Sequence, residues 1–452
     1  MIAYNTKLAI KSLKDRPSLT ILMVAAISVG LALFMITTTM SHQTEKIPLP
    51  HKSEDLYLVQ LDNREVEADE IKLQARMVDL SYQDTINLHS MQTSAKQQTY
   101  VWNSNGILNV EAQETEPLRA SMAATTSEFF SMFDAPFLYG RAWTTDADVY
   151  GHGVIVLTKE TNEYLFAGAN SVGKQVRLGT IDMTVIGVMD NWFLSRKFYD
   201  RSYRRANPDQ AFIPSSFGFN NELPRNAGFD CWSTVSNPNQ FRDSNLGELK
   251  ASECAWLTFW AEISGDENVQ DYQSTVNQYV TGQKEYGRFP REINNFYTNI
   301  NQQLAYINGR TSMQGILNII AMMFFAVCLI NAVSILMAKF MGRTKEVSLR
   351  RALGAKKKTI FQQHVIEVLM IGFIGGFIGV ILAHFGLQGM LNISLYASDY
   401  MVLAKDLQPY HQMDWQMVGM AFLVALGSTM LVGLYPIWRI CNVSPASQLK
   451  AQ

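Results

Sequence analysis

The sequence is short of charge. Asp, Glu, Lys and Arg make up 17% of its 452 residues, and the formal net charge is -2. A typical soluble domain is charged at about a quarter of its positions, so part of this chain is expected to avoid water. The near-neutral balance excludes a broadly basic nucleic-acid-binding surface, and no basic and aromatic residues interleave in the manner of one. Cysteine is scarce, confined to Cys231, Cys254, Cys328 and Cys441. No Cys or His pair has zinc-site spacing, which argues against a metal centre. No Ser–His–Asp set and no paired carboxylates emerge, so no catalytic residues are assigned. Low-complexity tracts and short-period repeats are lacking as well.

What is present is apolar and concentrated. Leu19–Met40, Ile316–Ala338, Val365–Leu387 and Trp415–Tyr435 are four runs, each near the ~20 residues that a helix needs to cross a bilayer. The first run carries no charge. It is too long for a signal-peptide core and no A-x-A site follows it, so it reads as an uncleaved anchor. Lys7, Lys11, Lys14 and Arg16 precede it, opposed only by Asp15. The loop between the second and third runs is strongly basic. The loop between the third and fourth is not, holding Asp399, Lys405, Asp406 and Asp414, and the tail carries Arg439 and Lys450. The positive-inside rule then puts both termini in the cytoplasm and the long segment after the first run outside.

The expected fold is an α-helical membrane protein with four transmembrane helices, arranged one plus three, and a large α/β extracytoplasmic domain with a helical stalk. The expected division is a cytoplasmic amphipathic segment (1–17), spans at 18–40, 313–341, 365–388 and 415–436, an outer domain (41–312) with an insertion at about 216–253, a cytoplasmic loop (342–364), a short outer loop (389–414) and a cytoplasmic tail (437–452). In the outer domain GVIVLTKE and MTVIGVMDN read as strands, ETNEYLFAG as a short helix, and WLTFWAEISG followed by NVQDYQSTVNQYVTG as a strand and a helix. Ser216 to Glu253 is rich in Asn, Phe, Gly and Pro without a period, as an irregular insertion would be. Ser41–Ile47 and Asn299–Gly309 are polar and suited to continue helices as stalks.

The basic loop, GRTKEVSLRRALGAKKK from Gly342 to Lys358, holds more order than an anchor needs. Its bases are Arg343, Lys345, Arg350, Arg351, Lys356, Lys357 and Lys358, and its one acid is Glu346. Arg343, Glu346 and Arg350 are spaced to share a helix face, and Glu346 precedes Arg350 in the favoured orientation for a pair. Leu349, Ala352 and Leu353 form an apolar patch, Gly354 is placed to end the helix, and Ala355 follows. A short helix of this kind suits docking against another protein.

Three regions resemble the permease subunits of MacB/FtsX-type ABC transporters, also called the type VII class. RTKEVSLRRALGA, continued by IFQQHVIEVL and a glycine-rich third span, resembles the family's membrane motif. ATTSEFFSMFDAPFLYGRAW (Ala124–Trp143), with LFAGANSVGKQVRLG and TVIGVMD, resembles the MacB periplasmic core domain. PIWRICNVSPASQLK (Pro436–Lys450) resembles the family's terminal pattern. The resemblance implies four spans, dimeric assembly with an identical or paralogous permease, and two copies of an ABC ATPase docked on the cytoplasmic side. It implies efflux of a periplasmic substrate by mechanotransmission, with an adaptor and an outer-membrane channel as partners, in the inner membrane of a Gram-negative bacterium. Lipoprotein extraction, as in Lol-type relatives, is the alternative within transport. An FtsX-like transducer activating cell-wall hydrolases is the alternative outside it.

MacB carries its ATPase at its own N-terminus, whereas this chain begins almost at once with a span. Its nearest P-loop match, Gly168–Gln175 (GANSVGKQ), ends in Gln175 where a Ser or Thr hydroxyl must hold magnesium, and it precedes a strand. It reads as a turn. The chain is therefore expected to bind no cofactor and hydrolyse no ATP alone, ATP and Mg being held by a partner ATPase.

Four glycines of the third span, Gly372, Gly375, Gly376 and Gly379, form overlapping small-xxx-small pairs that let backbones approach, within a subunit or between subunits. Glu367 lies near the cytoplasmic end of the third span, His384 near its outer end and Asn331 inside the second, with both ionisable ones in reach of an interface. They form no chain of acids for proton coupling, which argues against a secondary transporter. Lys7, Lys11 and Lys14 share one face of the N-terminal segment, opposite Ile2, Ala9 and Leu13, so it lies on membrane lipid or acts as a simple anchor. An oxidising exterior allows Cys231 and Cys254 to pair, although spacing alone does not establish the bond. Phe217, Phe219, Phe229, Trp232, Trp256 and Trp260 suit either core packing or an apolar substrate surface.

Overall fold

Strand and helix periods divide the chain into two units. The computed structural model describes residues 2–64, 66, 79–111, 116–192, 197–200, 209–225, 229, 231, 246–310, 313–397, 408–413 and 415–442. Glu45–Arg310 with Leu395–Pro409 forms an α/β unit, and Met1–Thr44, Thr311–Ser394 and Tyr410–Gln452 form a helical one.

The α/β unit is built on strands β1 (Leu56–Gln60), β2 (Gln97–Asn109), β3 (Leu118–Thr125), β4 (Phe137–Gly140), β5 (Val154–Leu157), β6 (Gln175–Leu178), β7 (Ile181–Met189), β8 (Ala211–Pro214), β9 (Thr258–Glu262) and β10 (Phe296–Asn299). They form one mixed sheet in the order β10-β1-β9-β2-β3-β8-β5-β7-β4, with β6 paired to β2 and β7. β3 with β8 and β5 with β7 run parallel. Successive strand residues point to opposite faces, and both faces are buried. Val59, Trp102, Ile155, Leu157, Phe259 and Ala261 enter one core, while Leu58, Val101, Val156 and Trp260 enter the other. Two-sided burial explains why the short inner strands β5 (VIVL) and β8 (AFIP) are apolar throughout.

Helices α1 (Ile2–Asp15) and α2 (Pro17–Glu45) precede the sheet. Covering it or joining its strands are α3 (Tyr82–Ser90), α4 (Glu128–Met132), α5 (Thr145–Tyr150), α6 (Lys159–Phe166), α7 (Ser215–Asn220), α8 (Leu246–Ala251), α9 (Asp266–Lys284) and α10 (Ile300–Arg310). On one face α9 buries Tyr272, Val276 and Val280, spaced at one helical stripe. On the other, the SEFFSMF stretch builds an aromatic cluster. Phe129 lies 4.9 Å from Phe133 and 5.4 Å from Phe212, and Phe130 lies 4.8 Å from Trp143. The segment expected to be irregular contributes α7 and α8 at its two ends; residues 232–245 lie outside the described residues.

The helical unit continues with α11 (Met313–Met341), α12 (Thr344–Ala352), α13 (Lys357–Ala397) and α14 (Trp415–Cys441). α2, α11, α13 and α14 are long and apolar enough to cross a membrane. α13 begins at Lys357 and not at residue 365, because nothing between Lys357 and Val365 breaks a helix and Ile360 is buried. α14 runs past the expected boundary and through Pro436 to Cys441. A mid-helix proline costs about 3 kcal/mol; Ile437 and Ile440, both buried in the bundle core, offset it.

Candidate coupling site

The basic loop sits where α11 and α14 end and α13 begins, folded into α12. Val347 and Ser348 point inward and are buried, whereas Leu349 and Leu353 are 54% and 80% exposed. Val347 joins the bundle core beside Ile360, Ile437 and Ile440, with Ala355 packed against it. The helix closes in a Schellman motif: the Gly354 N–H donates to Arg351 O at 3.1 Å and the Ala355 N–H to Arg350 O at 3.0 Å. Gly354 has φ +96, the left-handed region that glycine takes without strain.

Charges fasten this helix on its flanks. Arg350 donates to Glu346 at 2.5 Å and to Gln363 of α13 at 3.2 Å. Arg351 donates to the Cys441 carbonyl at the end of α14, at 3.3 Å, where a cation also suits the helix dipole. Lys357 reaches Asn442 at 3.3 Å. Outward lie an apolar pair, Leu349 and Leu353, beside a Glu–Arg pair, with Lys345 and Ala352 also exposed.

Arg343 requires a correction. It was expected to share a face with Glu346 and Arg350, but it is the N-cap of α12, with φ -110 and ψ 7, and so lies outside the helical register. Its side chain is 11% exposed and turns to α1, donating to Asp15 at 2.7 Å, to the Ser12 carbonyl at 3.0 Å and to the Ser12 hydroxyl.

Glu367 is also placed differently. It does not reach an interface: it is fully buried, 2.7 Å from Lys339 of α11, which is equally buried. The Ser12 hydroxyl donates to it at 2.5 Å, and His364 lies 3.3 Å away. Lys339 is not among the residues singled out from the sequence. Its position in the last turn of α11, with an acid about three turns into α13, was the available signal.

The four glycines pack within the chain. A Cβ on Gly376 would stand 3.2 Å from Ala425 of α14, and Gly372 faces Thr429 of the same helix. On the other side, a Cβ on Gly375 would stand 3.0 Å from Ile27 of α2, and one on Gly379 3.0 Å from Leu31 and 3.2 Å from the Ser28 carbonyl. The close approach also allows the Ser28 hydroxyl to donate to the Gly375 carbonyl at 2.9 Å. The two glycine pairs therefore seat α13 between two helices of its own bundle. Asn331 and His384 are exposed on that bundle.

Other candidates resolve within the α/β unit. Cys231 and Cys254 are joined by a disulfide, while Cys328 and Cys441 are free and buried. Phe217, Phe219, Trp256 and Trp260 are core residues and Phe229 packs against the core; Trp232 lies outside the described residues. Gly168–Gln175 is a turn entering β6, with φ +78 at Gly168 and +86 at Gly173. Lys174 sits over the Phe166 ring at 5.4 Å and Gln175 donates to Thr184 at 3.0 Å, so neither side chain is arranged around a phosphate. In α1, Ala9 and Ser12 are buried while Lys11 and Lys14 are exposed; the side chains of Ile2 and Lys7 lie outside the described residues.

Comparison with known proteins finds two family models in the chain. Residues 20–246 match the MacB-like periplasmic core domain, and residues 318–445 match the FtsX-like permease C-terminal domain. The chain is 23% identical over 361 residues to the macrolide export ATP-binding/permease protein MacB of Syntrophobacter fumaroxidans, covering 73% of this chain and 47% of that protein. It is 23% identical over 269 residues to YvrN, an uncharacterized ABC transporter permease of Bacillus subtilis, covering 59% of this chain and 57% of that one. The chain thus spans about half the length of these relatives. The solved periplasmic region of MacB from Actinobacillus actinomycetemcomitans is 17% identical with a TM-score of 0.36, covering 57% of this chain and 95% of that one. With a MacB-like core domain, an FtsX-like permease domain and four apolar helices, the chain belongs to the MacB/FtsX-type ABC transporter permease family.

Proposed function

We propose that this permease converts ATP-driven closure of two docked ABC ATPase subunits into motion of its MacB-like domain, for efflux of a substrate taken up on that side of the membrane. α12 is the docking element. The observation that carries the reading is the outward face of α12, where Leu349 and Leu353 are exposed beside the Glu346–Arg350 pair while the helix is fastened to α13 and α14. An exposed apolar pair on a rigidly held helix suits a partner's groove, and packed helices shift as units, so force on α12 reaches the spans. ATP and Mg belong to the ATPase in this reading. A second permease, identical or paralogous, completes the assembly, with an adaptor and outer-membrane channel beyond it. The basic charge around α12 supports cytoplasmic termini, and in this reading the protein lies in the inner membrane of a Gram-negative cell.

Leu353→Asp and Glu346→Lys test the reading. Burying a leucine is worth about 1.5–3 kcal/mol, so Leu353→Asp is expected to weaken ATPase co-purification by roughly 10- to 100-fold. Glu346→Lys is expected to impair export and ATPase stimulation. Both variants remain inserted, since neither lowers the loop's positive charge below that of a cytoplasmic anchor. Unchanged co-purification and export in both would sink the docking role of α12.

A further inference from the structure

We propose that Glu367 is a positioning residue that locks the start of the docking helix to the N-terminal helix and the spans, so that they move as one body. The carboxylate is held from three directions. Lys339 reaches it from α11 at 2.7 Å, Ser12 from α1 at 2.5 Å, and His364 from one turn back along α13 at 3.3 Å. Phe340 packs on the His364 ring at 4.5 Å, closing the site with an apolar wall.

Ser12 makes this a relay. Its hydroxyl has one proton, which goes to Glu367, and its oxygen accepts from the Arg343 guanidinium. Arg343 is the N-cap of α12 and is itself tied to the Ser12 carbonyl and to Asp15. Lys339 extends the network to α2 through Thr20 at 3.2 Å, and Arg16 reaches the Gly342 carbonyl at 3.5 Å. One buried carboxylate therefore joins α1, α2, α11, α13 and the cap of α12.

Stability alone does not account for such a pair. Replacing a buried ion pair by apolar residues of similar volume is often neutral or stabilising. What an apolar pair lacks is direction. Charge-assisted hydrogen bonds fix angle as well as distance, and a network with few discrete arrangements transmits displacement instead of absorbing it.

The test uses the full chain in lipid nanodiscs and reads amide hydrogen exchange. Lys339→Met combined with Glu367→Leu removes the charges and keeps an apolar fill. The proposal expects the amides of residues 344–352 to exchange at least tenfold faster, with the thermal midpoint unchanged or raised and exchange in Val368–Ile378 unaltered. Lys339→Arg, which keeps a cation opposite Glu367, is expected to retain protection. Ser12→Ala removes only the relay hydroxyl and decides the question if the double variant does not fold; it too should accelerate exchange in residues 344–352. Unaltered exchange there in the folded double variant, or in Ser12→Ala, overturns the proposal. Because its meaning for transport rests on α12 being the docking element, a second arm assays ATPase co-purification and stimulation. Uncoupling with retained co-purification supports the positioning role in transport. If Leu353→Asp leaves co-purification intact, the docking reading fails while the exchange result still judges the lock.

Discussion

Replacing Gly379 by isoleucine should drive α13 away from α2, and the structure sets the size of the effect. A Cβ there already stands 3.0 Å from Leu31 and 3.2 Å from the Ser28 backbone carbonyl, and the second contact cannot yield by a rotamer change. Overpacking of this kind costs about 1–3 kcal/mol. Separating the helices also breaks the 2.9 Å hydrogen bond from Ser28 to the Gly375 carbonyl, worth about 1 kcal/mol. The sum is about 2–4 kcal/mol, or roughly 30- to 1,000-fold in an unfolding equilibrium. Gly389→Ile in the same helix is the control, because no atom lies within 4 Å of its Cβ position; both variants share the propensity change from glycine to isoleucine. Denaturant unfolding in mixed micelles, at two protein concentrations, compares them. Equal midpoints for the two variants would refute the packing argument. So would a loss at Gly379 seen only as concentration-dependent subunit dissociation, since that would place the glycine between subunits.

Further outcomes follow from other sites. Peptide mapping without reductant should recover Cys231 and Cys254 in one linked species and Cys328 and Cys441 as thiols; free Cys231 would contradict the structure. Asp209→Ala should lower the thermal midpoint of the α/β unit sharply. It strips the acceptor shared by Lys197 at 2.8 Å, Tyr199 at 2.8 Å and Asn103 at 2.9 Å, and each buried donor left without an acceptor costs about 1–3 kcal/mol. Burial alone would push the Lys197 ammonium down, but Asp200 and Asp209 hold it above its usual range, so this lysine stays charged and keeps only Asp200, at 2.9 Å, as its carboxylate partner. Lys174→Ala should leave nucleotide binding and turnover by an assembled complex unchanged, because its amine rests on Phe166; nucleotide crosslinking to Gly168–Gln175 would show otherwise.

Much of the architecture was legible because its signals are local. Four apolar runs become α2, α11, α13 and α14, and the Val- and Ile-rich stretches become β5 and β7. The Glu346–Arg350 spacing and Gly354 predict the pair and the Schellman end that α12 carries, since both depend only on positions within one turn or two. The errors are of another kind. Arg343 fits a helical face by number, but a helix boundary one residue later turns it towards α1. Glu367 looked peripheral because its partners, Lys339 and Ser12, are distant in sequence. Glycine spacing declared close packing without saying which helices approach, and only the helix arrangement assigns α2 and α14. Strand order likewise follows from long-range pairing that no local pattern states.

The central claim, that α12 docks the ATPase, is tested most directly by a photo-crosslinking amino acid placed at position 353 in native membranes. Leu353 is 80% exposed, and the buried position of Ser348 on the same helix and exposed Tyr286 in the α/β unit serve as comparisons. The account predicts an adduct at 353 whose partner, identified by mass spectrometry, carries an ABC ATPase's nucleotide-binding motifs, with no such adduct at 348 or 286. An ATPase captured at 286 instead, or none at 353 from membranes where the assembled transporter is active, would contradict it.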